Sequence, residues 1–586
     1  MMKVAIVGTG PTGIYCLQQL LATGRALAVT LFEKGEKAGI GMPYSPDHAG
    51  KFMLANIASI EIPPVVEPYL DWLQAQPEAR LVSFGLEPED LDDRQFTPRL
   101  LLGEYYRAQL LALVERAGEE GHQIDIQESI EVLDILPHQE VLQVKTARGW
   151  HGPFDRVILA TGHDFPDEDE ATRSYYPSPW SGLIEASIPA VPVGIMGTSL
   201  SSIDAAMAVA NQHGRFRRKD NDLRFDIAPD TGLHITLMSR SGILPEADFY
   251  CPIPYHPLAV LTDEAVARCA SGSCPLDTVF DLVRAELLHA DPAFALRIGL
   301  AGLDADSFAP AYFAAREAAD PFRWARKNLE EVERNKADKV TVPWRYALLR
   351  MHEKVEAIVS ELPEADRERF DAGLKKVFVD NYAAVPSESI RRLLALRDAG
   401  VLSVLALGED YDLKREPSRT RIKTQTDEHV FEVFIDARGQ KALTSNDMPF
   451  PSLREALLQA GQEVPEVAED YSLIDVPGYA GRLTLASIPY LMHDRPFVQG
   501  ITAACDIGTR IGGAVLPTGF FSTPYGATVR APYWGTRSEL IEVLDLARSG
   551  AIHVETERYT LDQAPEAYRR MHEGTIRGRA VVVPGS

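Results

Sequence analysis

Cysteine is scarce in this chain, with five residues among 586, which does not suit a disulfide-stabilised secreted fold and favours a reducing compartment. No apolar run is long enough to cross a bilayer, and nothing at the N-terminus resembles a signal peptide. Cations are in deficit as well, because 59 Lys and Arg face 84 Asp and Glu, for a net charge of −25. Binding to nucleic acid or to an anionic membrane needs clustered cations. We therefore expect a cytoplasmic protein whose partners are neither membranes nor nucleic acids.

What the chain does have is a dense glycine motif at its start. Residues 3–7 are a short apolar run that predicts a buried parallel strand. Gly8, Gly10 and Gly13 follow at G-x-G-x-x-G spacing, and residues 14–21 continue with helical apolar spacing. Such glycines allow a sharp turn, close approach of a pyrophosphate to the backbone, and tight packing of the helix on the strand. The segment predicts a dinucleotide-binding fold, and the alternative is a glycine-rich turn in another kind of α/β protein.

Three features follow this motif. A second apolar run, 28–32, ends in Glu33, about twenty residues after the last glycine, where a carboxylate accepts hydrogen bonds from a ribose. Residues 34–46 are rich in Gly and Pro and predict a loop beside the cofactor, with Tyr44 near the reactive ring, although an ordinary loop with a buried tyrosine fits equally well. Asn56 lies in an apolar context and is a candidate contact for substrate or cofactor, while a satisfied buried amide has the same signature.

Arg99 is expected at the start of a helix, with Thr97 as its cap and Pro98 at the first helical position. A cation at this end opposes the helix dipole. An arginine there is better explained if it holds an anion, and the alternative is an ordinary surface arginine.

A further apolar strand ends in Ala160, Thr161 and Gly162, small residues that let a ligand approach the backbone. Together with the N-terminal glycine motif, this ending resembles the flavoproteins with two dinucleotide-binding domains, which include the flavin-containing and N-hydroxylating monooxygenases. The resemblance implies FAD at the first glycine motif, a crossover to an NAD(P)H domain after the Ala-Thr-Gly strand, and a second glycine motif downstream. The FAD-contacting residues that we expect are Gly8, Gly10, Pro11, Thr12, Gly13, Glu33, Lys34, Arg99, Thr161 and Gly162.

A degenerate second motif is present. A strand at 191–196 leads into Gly197, and Ser199 and Ser202 stand where the other two glycines would be. The following strand is succeeded by Arg240 instead of an acid, and an arginine at this place accommodates a ribose 2′-phosphate. The alternative is an ordinary loop arginine. We therefore expect NADPH at this site, in contact with Gly197, Thr198, Ser199, Ser201 and Arg240.

The middle of the chain is helical in its spacing and predicts an added region that covers the active site. Its polar residues include Arg345, a candidate substrate contact. Cys269 and Cys274 are separated by four residues, but flavin disulfide reductases carry such a pair directly after the FAD motif, so we expect a coincidence here. No second pair of metal ligands accompanies them, and we expect no metal site.

The last third of the chain is expected to complete both domains. A predicted strand at 429–435 ends in a worn copy of the Ala-Thr-Gly motif. Asp506 is a loose match to the acid that binds the flavin ribityl chain at a strand end in the family that the chain resembles. We expect an α/β fold with two Rossmann-like dinucleotide-binding domains and an added helical region. The segments are 1–185 (N-terminal part of the FAD domain), 186–260 (core of the NADPH domain), 261–400 (helical region) and 401–586 (return segment completing both domains).

The resemblance implies hydride transfer from NADPH to FAD, and dioxygen as the electron acceptor through a flavin-bound peroxide. Catalytic side chains are not assigned, because this chemistry needs water exclusion and positioning rather than a catalytic dyad. Length and the helical region resemble the subgroup that N-hydroxylates the amino group of an amino acid or small amine. Two alternatives stay open: an FAD-dependent NAD(P)H oxidoreductase with a non-oxygen acceptor, and a non-catalytic flavin-binding protein. A homo-oligomer is compatible with each of these functions.

Overall fold

The structure is a computed structural model that describes residues 1–22, 26–166, 168–219, 222–229, 231–270, 274–515, 556–560, 563–572 and 579–583. Much of the predicted return segment, 516–555, lies outside the described residues. The chain divides into two compact units, Met1–Leu516 and Pro517–Ser586. Within the described ranges, no helix combines the length and the apolar composition needed to cross a membrane.

The elements of the first unit follow the predicted alternation of strands and helices. Its strands are β1 (Met2–Val7), β2 (Leu27–Phe32), β3 (Gln123–Gln127), β4 (Val132–His138), β5 (Val141–Thr146), β6 (Gly149–Phe154), β7 (Arg156–Leu159), β8 (Tyr175–Tyr176), β9 (Pro192–Met196), β10 (Gly214–Lys219), β11 (Asp222–Ile227), β12 (His234–Ser239), β13 (Leu402–Ala406), β14 (Asp412–Glu416), β15 (Arg419–Lys423), β16 (Glu428–Phe431), β17 (Val433–Asp436) and β18 (Leu483–Leu485).

Its helices are α1 (Pro11–Leu21), α2 (Tyr69–Gln74), α3 (Glu78–Val82), α4 (Arg99–Glu119), α5 (Leu200–His213), α6 (Asp263–Ala270), α7 (Leu276–Ala290), α8 (Pro292–Arg297), α9 (Phe308–Glu317), α10 (Pro321–Asp338), α11 (Pro343–Val359), α12 (Glu364–Ala372), α13 (Leu374–Tyr382), α14 (Ser387–Asp398), α15 (Pro451–Gln459), α16 (Ile488–Leu491) and α17 (Gly500–Val515). In the described part of the second unit, β19 (Thr556–Thr560) pairs in parallel with β20 (Arg579–Val583), beside α18 (Ala564–His572).

The first sheet is parallel throughout, in the order β18-β7-β1-β2-β3. Its central strand β1 buries Val4, Ala5 and Ile6 completely, as expected for a strand covered on both faces. Helices α1, α4 and α17 supply the core on one face, and the antiparallel sheet β4-β5-β6 supplies it on the other. The late strand β18 therefore returns to the first sheet.

The second sheet repeats this topology in the order β13-β12-β9-β17-β8. Strand β9 is central, as β1 is in the first sheet, and leads into α5 as β1 leads into α1. A three-stranded antiparallel sheet, β14-β15-β16, precedes β17 just as β4-β5-β6 precedes β7. The two sheets with their flanking helices are called copy one and copy two below. The predicted fold class, two Rossmann-like domains, is confirmed.

The predicted helical region is real and lies between β12 and β13 of copy two. Helices α6, α7, α9, α11, α12 and α13 share one apolar core. Cys269 and Cys274 are joined by a disulfide in this core, which corrects our expectation of an unrelated pair, because the chain brings their Cα atoms to 5.0 Å. Within this region, Gly373 separates α12 from α13.

Two further expectations about elements were wrong. The strand expected at 429–435 is two strands, β16 and β17, which belong to different sheets because the chain turns between Phe431 and Val433. Helix α4 has Pro98 at its cap position, and the hydroxyl of Thr97 is bonded to that of Tyr69 at 2.7 Å instead of capping the helix.

Candidate functional site

The turn after β1 can be built only with glycine. Gly8 has φ +94°, and a Cβ atom there would lie 2.2 Å from the carbonyl oxygen of Ala160 at the end of β7. A Cβ atom on Gly13 would lie 2.2 Å from the carbonyl oxygen of Gly8, so α1 packs directly on the turn. The first and third glycines of the motif therefore have the close contacts that the spacing predicted.

The N-terminus of α1 has the features of an anion site. Pro11 occupies its first position and has no N–H, and the first turn has no acidic residue. By helix geometry, the amides of Thr12 and Gly13 have no acceptor within α1. Gly10 precedes them. A Cβ atom on Gly10 would lie 3.3 Å from the Cα atom of Gly41, which belongs to the loop expected beside the cofactor. This loop therefore covers the start of the helix.

Glu33 follows β2 and faces the glycine turn. Its Oε2 accepts hydrogen bonds from the amide and the hydroxyl of Thr9, at 3.2 and 2.6 Å, and its Oε1 accepts one from the amide of Gly35 at 2.8 Å. A carboxylate has about four acceptor sites. One site remains for a ribose hydroxyl, in a side chain that the turn itself holds in position. Lys34, the next residue, is exposed.

The Ala-Thr-Gly ending of β7 lies against the same turn and is held by the return segment. Ser487 accepts a hydrogen bond from the amide of Thr161 at 3.1 Å, and the two hydroxyls are 2.7 Å apart. Gly162 follows with φ +76°. His163 comes next; its buried Nδ1 has no hydrogen-bond partner within the described chain, and burial lowers the pKa of this imidazole. His163 carried no signal in the sequence beyond its place after the motif.

Tyr44 and Asn56 both lie in the segment between β2 and α4 of copy one. Tyr44 packs where Gly103 of α4 has no side chain, since a Cβ there would lie 2.5 Å from the Tyr44 carbonyl oxygen. Burial raises the pKa of Tyr44 to about 12, against the opposing effect of Arg99. The Oδ1 atom of Asn56 is buried with no hydrogen-bond partner among the described residues. A buried amide oxygen without a donor is costly, so Asn56 is suited to a ligand that donates one.

Copy two has the same turn in a modified form. Gly197 has φ +124°, and a Cβ there would lie 3.1 Å from the carbonyl oxygen of Ala437 and 2.3 Å from the hydroxyl oxygen of Ser202. The amide of Ala437 donates to the Met196 carbonyl at 2.9 Å, as that of Ala160 donates to Val7 in copy one. Serine thus replaces glycine at a close contact, and 436–439 is the structural counterpart of the Ala-Thr-Gly ending.

The remaining predicted residues of copy two surround this turn. Ser199 occupies the N-cap position of α5 without a side-chain capping bond, and Ser201 lies in the first turn. The hydroxyl of Thr198 is 3.5 Å from that of Ser239. Arg240 follows β12 with 65% of its side chain exposed, 3.6 Å from the carboxylate of Glu409. An exposed ion pair of this kind contributes little, so Arg240 is available to a phosphate.

Three predicted site residues have other partners. Arg99 holds an anion as expected, but the anion is Asp204 of α5, at 2.6 Å. Arg345 is buried and contacts the Glu246 carboxylate at 3.4 Å, so this charged side chain is used inside the protein. Asp506 is not at a strand end; it lies within α17, on the outside, and is bonded to Arg510 one turn later. Helix α17 packs closely on α1, so the return segment does come back to copy one, although Asp506 is not at a strand end as expected.

These residues fit a dinucleotide in each copy. Copy one offers a glycine cradle, helix amides without an acceptor in the helix, and an acceptor for ribose, and a dinucleotide such as FAD needs each of these contacts. Copy two offers a shallower cradle with hydroxyls and an arginine. Sequence reasoning missed Asp204 and Ser487 because their partners are distant in the chain.

Comparison with known proteins agrees with this geometry. Residues 5–164 match the family model described as "FAD-NAD(P)-binding", which confirms the predicted cofactor class for this part of the chain. Residues 262–382 match "YdhS-like middle domain". The chain is 53% identical over 522 residues to the "Uncharacterized protein YdhS" of Escherichia coli (strain K12), covering 88% of this chain and 98% of that protein. The chain belongs to the YdhS family.

Solved structures that resemble this YdhS-family chain are more distant. The ornithine N-hydroxylase KtzI of Kutzneria sp. 744 has a TM-score of 0.47 at 14% identity, over 87% of this chain and 98% of that one. The ornithine hydroxylase PvdA of Pseudomonas aeruginosa has 0.45 at 11%, over 88% and 98%. The bacillithiol disulfide reductase Bdr (YpdA) of Bacillus cereus has 0.40 at 12%, over 88% and 98%. Likenesses at this distance do not indicate a shared reaction.

Proposed function

We propose that the protein is an FAD-dependent, NADPH-using monooxygenase that hydroxylates the amino nitrogen of an amino acid or small amine. The observation that carries the proposal is the duplication: two copies of one dinucleotide-binding fold, each with its glycine turn at the carboxyl edge of a parallel sheet. Ligands of such sheets bind at that edge. Two dinucleotides in one compact unit are what transfer between a nicotinamide and a flavin requires. Bound FAD supplies the redox chemistry, and the protein supplies binding and orientation.

Copy one is the copy we assign to FAD. The acid after β2, Glu33, suits an unphosphorylated ribose, and the complete glycine motif suits close contact with a pyrophosphate. Copy two is the one we assign to NADPH, because Arg240 stands where copy one has the acid. The serines of its turn offer hydroxyl donors to the phosphates.

The alternative acceptor, a dithiol within the protein, finds no support in the disulfide. Cys269 and Cys274 are each 6% exposed and lie in the apolar core of the helical region with Leu276 and Phe280. A relay thiol has to meet both flavin and acceptor, so burial among helices does not suit that role. Dioxygen needs no such group.

The substrate class is inferred from two polar side chains of one loop, Asn56 and Glu61. The amide oxygen of Asn56 can only accept a hydrogen bond, so a ligand bound there must supply an N–H or O–H group. Glu61 follows in the same loop; burial and, less strongly, Asp248 raise its pKa, against the hydrogen bond from the Ala58 amide and the charge of Arg94. Asp248 is paired with Lys336 at 3.3 Å. We therefore propose that the substrate is an amine. Glu61 binds its positive charge, and Asn56 accepts a hydrogen bond from its N–H group.

The decisive experiment begins with the visible spectrum of the purified protein and its reduction by NADPH without oxygen. Oxygen is then admitted, with candidate amines present, and the products are identified by mass spectrometry. A hydroxylamine or further oxidised nitrogen supports the proposal. Turnover with a quinone and no oxygen consumption, a product hydroxylated only on carbon, or a yellow protein that NADPH does not bleach would each contradict it.

The amine assignment has its own variants. N56A and E61Q are expected to raise KM for the amine at least tenfold while leaving the rate of flavin reduction by NADPH within a factor of two. N211A is the matched control, since the side-chain amide of Asn211 donates back to the Met207 carbonyl within α5 at 2.8 Å and makes no other hydrogen bond among the described residues. Equal effects of N56A and N211A on KM would contradict the assignment.

A further inference from the structure

Copies one and two are joined by a buried ion pair. Arg99, the first residue of α4 in copy one, places Nη2 2.6 Å from Oδ2 of Asp204 in α5 of copy two, with 12% and 9% of the two side chains exposed. Its Nε donates to the carbonyl of Leu54 at 2.9 Å, and its guanidinium lies 5.5 Å from the ring centre of Trp180. Arg99 is therefore fixed on several sides and turned toward copy two.

Asp204 stands where an acid is a disadvantage for binding an anion. It is the fifth residue of α5, about 7 Å along the helix from the cap Ser199 at 1.5 Å per residue. The N-terminus of α5 is the end that faces a dinucleotide pyrophosphate. A buried carboxylate at this distance repels the phosphates.

Nearby cations offset the negative charge of Asp204. Burial raises the pKa of Asp204, while Arg99 first and then Arg392 of α14 favour the ionised form. Arg392 also donates to the carbonyl of Phe52 at 2.5 Å, in the loop whose Leu54 carbonyl is bonded to Arg99. The cation in contact with Asp204 is thus Arg99, from the other copy, whereas Arg392 is itself paired with Glu388 at 3.6 Å.

We propose that Arg99, although it belongs to copy one, is a positioning residue for the dinucleotide of copy two: it neutralises Asp204 and so makes the N-terminus of α5 able to accept an anionic cofactor. This inference rests on the proposed NADPH site, and it replaces our expectation that Arg99 contacts FAD. The arginine acts through Asp204 and does not need to touch either cofactor.

The test is a set of equilibrium titrations of the full-length protein with NADP⁺ and, after removal of flavin, with FAD. R99M is expected to weaken NADP⁺ binding at least tenfold, because it leaves Asp204 without its closest cation. R99K keeps the charge and is expected to stay within threefold of the parent. D204N is expected to bind NADP⁺ as well as the parent or better. The double variant R99M/D204N removes both charges and is expected to return to within threefold.

FAD binding separates this inference from direct contact. All four variants are expected to bind FAD within threefold of the parent, and R316M, which breaks the buried Arg316–Asp380 pair elsewhere in the unit, is the control for a general loss of stability. If R99M/D204N binds NADP⁺ as weakly as R99M, or if R99M loses FAD instead, the inference is overturned. The inference is also overturned if R99M lowers the melting temperature without changing NADP⁺ affinity. A parent protein that binds FAD but no NADP⁺ overturns the proposed function itself.

Discussion

Replacing Gly8 by alanine is the sharpest perturbation that the fold offers. The Cβ atom of the alanine would lie 2.2 Å from the Ala160 carbonyl oxygen, and the alanine backbone would have to adopt φ +94°. Two glycines of copy one separate these effects. Gly85 has φ +75° and nothing within 4 Å of the Cβ position, and Gly118 in α4 has neither a positive φ nor a neighbour.

The expected magnitudes follow from these three environments. G118A is expected to raise the free energy of unfolding by about 0.5–1 kcal/mol, because alanine is the better helix former. G85A is expected to lower it by about 1 kcal/mol, the cost of a left-handed alanine less the gain from a stiffer unfolded chain. G8A carries that cost and an overpacking cost of about 1–3 kcal/mol, because β1 and β7 must separate. Its expected loss is about 2–4 kcal/mol.

The assay is urea denaturation of all three variants beside the parent, with FAD content measured from the visible spectrum. G8A is expected to lose FAD as well as stability, since the turn that it displaces carries the free amides of α1. G85A and G118A are expected to retain FAD. A G8A protein that matches G85A in stability and keeps its flavin would refute the close contact between the turn and β7.

Three further outcomes are expected. T9V removes a 2.6 Å hydrogen bond from a buried hydroxyl to the Glu33 carboxylate, and urea denaturation is expected to show a loss of about 1.5–3 kcal/mol with weaker FAD binding. R316M leaves the carboxylate of Asp380 without its cation, where the two side chains are 5% and 12% exposed, and is expected to cost about 3–5 kcal/mol. Burial raises the pKa of Glu61 above its usual 4.5, so its contribution to stability is present at low pH and lost as pH rises through the folded pKa. E61Q keeps the neutral form, and its melting temperature relative to the parent is expected to increase between pH 4 and pH 7.

Each of these has an outcome that contradicts it. Unchanged FAD affinity in T9V would mean that Glu33 needs no support from the turn. K375M is the exposed control, because Lys375 and Asp371 form an exposed pair 2.9 Å apart, and it is expected to lower the free energy of unfolding by less than about 1 kcal/mol. If R316M lowers the free energy of unfolding by no more than K375M does, burial does not strengthen the Arg316–Asp380 pair. A melting difference for E61Q that is flat with pH would show that the carboxyl is not desolvated.

The sequence by itself determined the local features. A glycine with positive φ, the strand before it and the helix after it are set by residues close together in the chain, and this is why the turns at Gly8 and Gly197 could be predicted. The same holds for the helical character of the middle region. The small residues after β7 and β17 marked the two strand ends for the same reason.

Only the tertiary structure decided which distant groups meet. Arg99 was expected to hold an anion, because a cation at a helix start needs one, but the identity of that anion depends on how copy one and copy two pack. The same limit explains Arg345, whose partner Glu246 is brought to it by the helical region, and Asp506, whose place in α17 depends on where the return segment turns. Charge and burial are properties of the packed chain, and the residues that supply them are neighbours in space rather than in sequence.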